Sequence, residues 1–123
     1  MVSPFSRATA PWIPIAMPRV SVVVSHYDRQ ALLLEALDSI AAQTYRDFEI
    51  VVVNDDGADS EGLVRDFATS AAAPRGPLEI RYDRRPRNAG IAATRNRGVE
   101  LASGELIAYL DDDDLWRPEH LKP

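Results

Sequence analysis

Leu106-Ile-Ala-Tyr-Leu110 runs directly into Asp111, Asp112, Asp113 and Asp114, and then into Leu115-Trp-Arg-Pro118. A short apolar run bounded by polar residues predicts a buried strand, and this one delivers four carboxylates to its C-terminal end. Like charges packed this closely repel, so a fold keeps such a run where a cation neutralises it or where water solvates it fully. The plain alternative is a wet acidic turn, because Asp starts turns readily. Position favours a binding role: in open α/β sheets, ligands collect beyond the carboxyl ends of the strands.

Upstream, the same grammar repeats. Arg19–Ser25 is rich in β-branched residues and follows Pro18, which predicts the first strand. Ala31–Gln43 carries Leu33, Leu37, Ile40 and Ala41 at helical spacing, with Glu35 and Asp38 off that stripe. Phe48–Asn54 predicts a second buried strand ending at Asp55, Asp56 and Gly57. Ser60 is placed to cap a helix whose apolar face is Leu63, Val64, Phe67 and Ala71, closing within Ala72–Pro77. Leu78–Tyr82 predicts a third strand, Arg84–Gly90 a basic loop, and Ile91–Ala102 a third helix ended by Ser103-Gly104. Leu106–Leu110 is the fourth strand. This alternation predicts an α/β fold, a mostly parallel sheet with right-handed crossovers and helices on both faces.

The chain's 123 residues suffice for one domain, expected over 19–123, behind a flexible Pro-rich leader over 1–18 that holds Pro4, Pro11, Pro14 and Pro18. Apolar residues at 46% and charged residues at 27% are ordinary for a globular protein. The formal charge of −5, from 19 acids against 14 bases, comes without a dense basic block, which argues against nucleic acid as a partner. The absence of cysteine excludes disulfides and thiolate metal sites and agrees with an expected cytoplasmic location. No apolar run approaches the roughly 18 residues that span a bilayer. Any metal must therefore be held by oxygen ligands or by His26 and His120.

Projected at 100° per residue, the third helix places Ile91, Ala92, Val99 and Ala102 on one face with Arg95 in its middle and Arg97 opposite. An arginine in an apolar stripe needs an anionic partner, either a strand-end aspartate in a structural ion pair or a bound ligand. Two phosphate-binding loops are excluded, since no Gly-x-Gly-x-x-Gly follows the first strand and no Gly-x-x-x-x-Gly-Lys occurs. A phosphate held here would need a metal, and Mg2+ or Mn2+ suits an all-oxygen site that keeps waters. A calcium loop starting at Asp111 fails, with Trp116 at its sixth position and Lys122 at its twelfth. His26 reads as a hydrogen-bonding group at a strand end, and Trp116 as core.

Together these stretches resemble a known family. Val20-Ser-Val-Val-Val-Ser-His-Tyr-Asp-Arg29, then Ala36 to Gly57, resembles the opening of family 2 glycosyltransferases of the GT-A (Rossmann-like) fold. Asn88-Ala-Gly-Ile-Ala-Ala-Thr-Arg-Asn-Arg-Gly98 and Ser103 to Asp114 resemble it too, and the likeness covers residues 19–122 in order and spacing. It implies strands ordered 3-2-1-4 and a site for a nucleoside-diphosphate sugar, expected to be a UDP-sugar, at their carboxyl edge. Ser25 and Tyr27 would line the base pocket with Tyr27 stacked on the ring, Asp56 would accept a hydrogen bond from the base, and Asp112 would reach the ribose. Asp113 would ligate Mn2+ or Mg2+, Asp111 and Asp113 would form the Asp-x-Asp motif, and Arg95 would face the donor. The family's domain continues past the Asp-x-Asp strand into an acceptor-binding half that carries the general base. The chain is thus expected to be the donor-binding half of a transferase, its sugar, lipid or polysaccharide acceptor unidentified and its catalytic base beyond Pro123.

Two other readings compete. A phosphoryl-transfer fold of the haloacid-dehalogenase kind also sets paired aspartates after a parallel strand, but on an early strand, and with Thr or Val where this chain has Leu115. A nucleotide-sugar-binding or interaction module without catalysis would need the same donor site and no base.

Overall fold

The computed structural model describes residues 19–75 and 78–121, so the leader expected over 1–18 lies outside the described residues, as does the side chain of Ala71. The elements run β1 (Val20–His26), α1 (Gln30–Ala41), β2 (Phe48–Asn54), α2 (Glu61–Arg75), β3 (Ile80–Arg84), α3 (Ile91–Leu101) and β4 (Leu106–Asp111). All pairings of the four-stranded sheet are parallel, in the order β3-β2-β1-β4. The expected α/β architecture and strand order are both present. Register levels the carboxyl ends: Ser25 lies opposite Asp111 on one side and Val53 on the other, and His26 lies opposite Asn54. That alignment brings three strand ends to one edge.

The sheet is sandwiched unequally. One face of the central strands, with Val22, Val24, Ile50 and Val52, packs against Leu33, Ala36, Leu37 and Ile40 of α1 and Val64 and Phe67 of α2. Val23, Val51 and Val53 face the other way, toward Leu101 of α3 and Ile107. Strands buried on both faces explain why β1 and β2 read as continuous apolar runs without alternation. Trp116 packs against the larger core, as expected, and its ring stacks on His120 at 4.4 Å. The segment carrying it is pinned by fully buried Gln43, which donates to the Arg117 carbonyl at 2.6 Å and accepts from the Leu121 N–H at 2.9 Å. This use of Gln43 in a bracket goes with a helix that ends at Ala41, where its apolar stripe ends, two residues before the expected Gln43.

Several local expectations give way to tertiary packing. β3 lies two residues further along than predicted, because it pairs with the end of β2, Ile80 opposite Ile50 and Arg84 opposite Asn54. α2, by contrast, closes at Arg75, within the expected Ala72–Pro77. Ser60 spends its hydroxyl on His26 and Gln30, while Asp59 accepts the Glu61 N–H at 3.1 Å. The phase predicted for α3 is also corrected. Its buried residues are Thr94 and Gly98, whereas Ile91 and Val99 are exposed. A Cβ on Gly98 would collide with Val23 Cγ1, so the helix approaches the sheet through its smallest residue, which a search for large apolar side chains cannot find.

Gly104 does not end α3 in a left-handed cap, since the helix stops at Ala102 in extended conformation. Gly104 instead lies against β1, where a Cβ would come within 2.7 Å of Ser21 Oγ. Beside it, buried Glu49 accepts from Ser21 Oγ (2.6 Å), the Ser103 N–H (2.7 Å) and Ser103 Oγ (2.9 Å), with Arg81 Nε at 3.5 Å. A buried carboxylate needs such company. The network ties the start of β4 to β1 and β2 and so fixes where β4 delivers its aspartates. Among the described residues no helix is long and apolar enough to cross a membrane.

Candidate functional site

At the carboxyl edge the three aligned strands open into a cavity of about 290 Å³. Its lining includes Ser25 of β1 and Tyr27 just after it, Asp55 after β2, Thr94 of α3, Asp111 at the end of β4 and Asp113 beyond it. One carboxylate oxygen from each of Asp111, Asp113 and Asp114 can be chosen so that all lie within 4.8 Å of one another. That grouping offers hard oxygen donors, the kind that Mg2+ and Mn2+ favour. Asp113 and Asp114 are exposed and Asp111 is half-buried, so water can complete the shell.

The four aspartates do not behave alike. Asp112 turns inward and is buried. Its Oδ2 lies 2.9 Å from His26 Nδ1 and accepts the Tyr27 N–H at 3.0 Å, and its Oδ1 lies 3.5 Å from Arg29. The expectation that Asp112 reaches a ribose therefore meets a carboxylate already engaged by β1. Asp111 Oδ1 accepts from Ser25 Oγ at 2.7 Å and faces Arg95 Nη2 at 3.4 Å. Asp113 Oδ2 pairs with Arg29 at 2.8 Å, a cation held against the acidic turn by the protein itself.

Arg95 answers the question the sequence left open. It pairs with the strand-end Asp111 and lies over the Tyr109 ring at 5.2 Å, with its side chain 40% exposed. The ion pair is present, and the guanidinium is not enclosed in a core-facing stripe as its helical projection predicted. Arg97 pairs with Asp83 at 3.1 Å, and that hydrogen bond raises its pKa above the ordinary value. Asp56 stands outside the cavity lining, at φ 63° in the left-handed region, with Arg84 Nη2 3.7 Å away. Tyr27 is half exposed at the cavity mouth.

Three participants were not assigned by the sequence. His26 is buried and bridges Asp112 to Ser60 Oγ, 3.0 Å from its Nε2. Arg29 neutralises Asp113. Asp55 receives the N–H groups of Ala89 and Gly90, one on each oxygen, at 2.9 Å. Asp55 carried a signal as an acid closing a buried strand, and His26 was expected to hydrogen-bond at a strand end, as it does, though without a named partner. Arg29 and His26 are placed by register, which spacing along the chain does not show.

Comparison with known proteins gives this geometry its kinship. The sequence profile of glycosyl transferase family 2 matches residues 21–123. WcaA of Escherichia coli K12, named for glycosyl transfer in colanic acid biosynthesis, is 35% identical over 104 residues, which is 85% of this chain and 36% of that protein. YwdF of Bacillus subtilis, named as a glycosyltransferase, is 38% identical over the same shares of the two chains. Among solved structures, S. aureus TarS matches with a TM-score of 0.72 at 28% identity over 85% of this chain and 30% of that one, and TarS has been solved with UDP and with UDP-GlcNAc. PcManGT, a mannosyltransferase from Pyrobaculum calidifontis solved with GDP-Man and Mn2+, matches with a TM-score of 0.70 at 30% identity, over 93% of this chain and 32% of that one. The chain spans about a third of the length of these relatives. On the matched span and the shared fold, it belongs to glycosyl transferase family 2.

Proposed function

We propose that residues 19–123 form a donor-binding domain that holds a nucleoside-diphosphate sugar through a divalent cation for glycosyl transfer. The observation that carries this reading is the convergence of Asp111, Asp113 and Asp114 on one point at the mouth of a cavity that Ser25, Tyr27 and Thr94 also line. Their all-carboxylate donor set fits Mn2+ or Mg2+, with Asp113 the principal ligand. Such a cation, when bound, offsets the charge that accumulates on a departing nucleoside diphosphate.

The chain's own side chains do the rest. Tyr27, half exposed at the cavity mouth, offers a ring face for a base to stack on. Ser25 and Arg95 hold Asp111 in place from two sides. Because Asp112 is committed to His26, the ribose contact falls to Asp111 or to the one oxygen of Asp112 that faces Arg29. Asp56, exposed and near Arg84 through one oxygen, keeps its other oxygen for a base. The relatives' donors support a UDP- or GDP-linked sugar here. The acceptor, and the base that would deprotonate it, belong to the part of the relatives' length that this chain does not span.

Electron paramagnetic resonance of Mn2+ tests the reading. Addition of UDP or GDP should broaden and shift the signal of protein-bound Mn2+ in the wild type, and Asp113→Asn should give no protein-bound Mn2+ signal. Protein-bound Mn2+ whose signal is indifferent to both nucleotides would refute the reading.

A further inference from the structure

We propose that Asp55 is the resident anion at the N-terminal end of α3, positioning the 88–90 loop and excluding phosphate from that helix end. A diphosphate is then left only the carboxylate turn after β4, a consequence that rests on the nucleotide-binding reading above.

The N-terminus of a helix carries partial positive charge and exposed N–H groups, and phosphates bind there readily. α3 begins on the wall of the cavity, since Ile91 and Thr94 of its first turn line the cavity together with Asp111 and Asp113. By position alone it would compete for the diphosphate. α3 brings no anion of its own: its N-cap is Gly90, at φ 89°, with no side-chain cap and no acid in the first turn.

Asp55 supplies the missing charge from the neighbouring strand end. The side chain is almost buried, at 9% exposure, and both its oxygens are used: Oδ1 accepts the Ala89 N–H and Oδ2 the Gly90 N–H, each at 2.9 Å. Asn88 Nδ2 donates to the Asp55 carbonyl at 3.1 Å, so side chain and backbone grip the same loop. Arg85 completes the arrangement, with Nε 3.9 Å from Asp55 Oδ1 and Nη1 3.5 Å from the Ala93 carbonyl. A carboxylate that takes one N–H on each oxygen beside a guanidinium occupies the place a phosphate oxygen pair would take. A second anion arriving there meets a like charge in a partly desolvated site, where repulsion is weakly screened.

The test is an NMR titration of the full chain with inorganic phosphate, without metal or nucleotide, combined with amide hydrogen exchange. In the wild type, the amides of Gly90 to Ala93 should show no saturable shift, and those of Ala89 and Gly90 should be protected. In Asp55→Asn, exchange at Ala89 and Gly90 should accelerate about tenfold as a charge-assisted bond is lost, and phosphate should produce saturable shifts at Gly90 to Ala93 that the wild type lacks. A purely structural role for Asp55 would loosen the loop without this gain of phosphate binding. Phosphate shifts at these amides in the wild type, or a folded Asp55→Asn without the gain, overturn the proposal. If Asp55→Asn does not fold, the wild-type titration decides, sustaining the proposal when those amides ignore phosphate and overturning it when they respond. Because neither nucleotide nor metal enters the experiment, a wild type that fails to bind nucleotide refutes the donor-site reading and leaves this result standing.

Discussion

His26 and Asp112 fasten the carboxyl ends of β1 and β4 to each other, with Nδ1 and Oδ2 2.9 Å apart and both side chains buried. The pair continues through His26 Nε2 to Ser60 Oγ at the start of α2. By holding Asp112 inward the pair anchors a turn, closed by the Asp114 N–H on the Asp111 carbonyl at 3.0 Å, in which Asp111 stays half-buried and Asp113 exposed. The proposed metal site would thus rest on a residue that touches no metal.

Replacing His26 by Leu should therefore cost stability as well as order in the aspartate turn. Asp112 would keep the Tyr27 N–H and lose its buried imidazole partner, a loss of about 1–3 kcal/mol. Urea denaturation of wild type and His26→Leu measures it. Equal midpoints and slopes would show that Asp112 is solvated and the pair inconsequential.

Gly98→Ala should destabilise by about 1–3 kcal/mol, since the added methyl meets Val23 in a packed interface. In a Val23→Ala background the penalty should shrink by more than about 0.5 kcal/mol, because the two positions share one contact. A double-mutant cycle by chemical denaturation gives the coupling, and strict additivity would contradict the observed phase of α3.

Arg29→Gln should tighten Mn2+ binding to the free protein by roughly twofold to fivefold. The guanidinium pairs with Asp113 at 2.8 Å and competes with the metal for that oxygen, yet the pair is half exposed, which limits its worth to about 0.2–1 kcal/mol. Titration of Mn2+ without nucleotide reports the change. Weaker metal binding in the variant would mean that Arg29 orients Asp113 and does not oppose the cation.

Arg95→Ala should change stability by less than about 1 kcal/mol, because its pair with Asp111 is 40% exposed on the arginine side and 33% on the aspartate side. Thermal melts check this. A large loss would restore the core-facing position that the helical projection gave Arg95.

The strands and their acidic ends were legible because a strand buried on both faces must be apolar throughout, and because Asp55, Asp56 and Asp111–Asp114 interrupt those runs abruptly. The strand order and the cavity followed from the family likeness of the motifs. What the sequence concealed was contact through small or polar groups. Gly98 sets the phase of α3 with no side chain, and Gly104 marks a close approach to Ser21 where its position after a helix suggested a cap. Asp111 to Asp114 are indistinguishable as letters, and only the parallel register of β1 with β4, which sets His26 beside Asp112, sorts one inward and the others outward.

Isothermal titration calorimetry of UDP and GDP, with Mn2+ and again with a chelator, tests the metal-bridged donor site most directly. The account predicts binding of at least one of the two nucleotides in Mn2+, none in chelator, and none in either condition for Asp113→Asn, because without a cation the acidic turn repels a diphosphate. Equal affinity in Mn2+ and in chelator, or undiminished binding by Asp113→Asn, would contradict it.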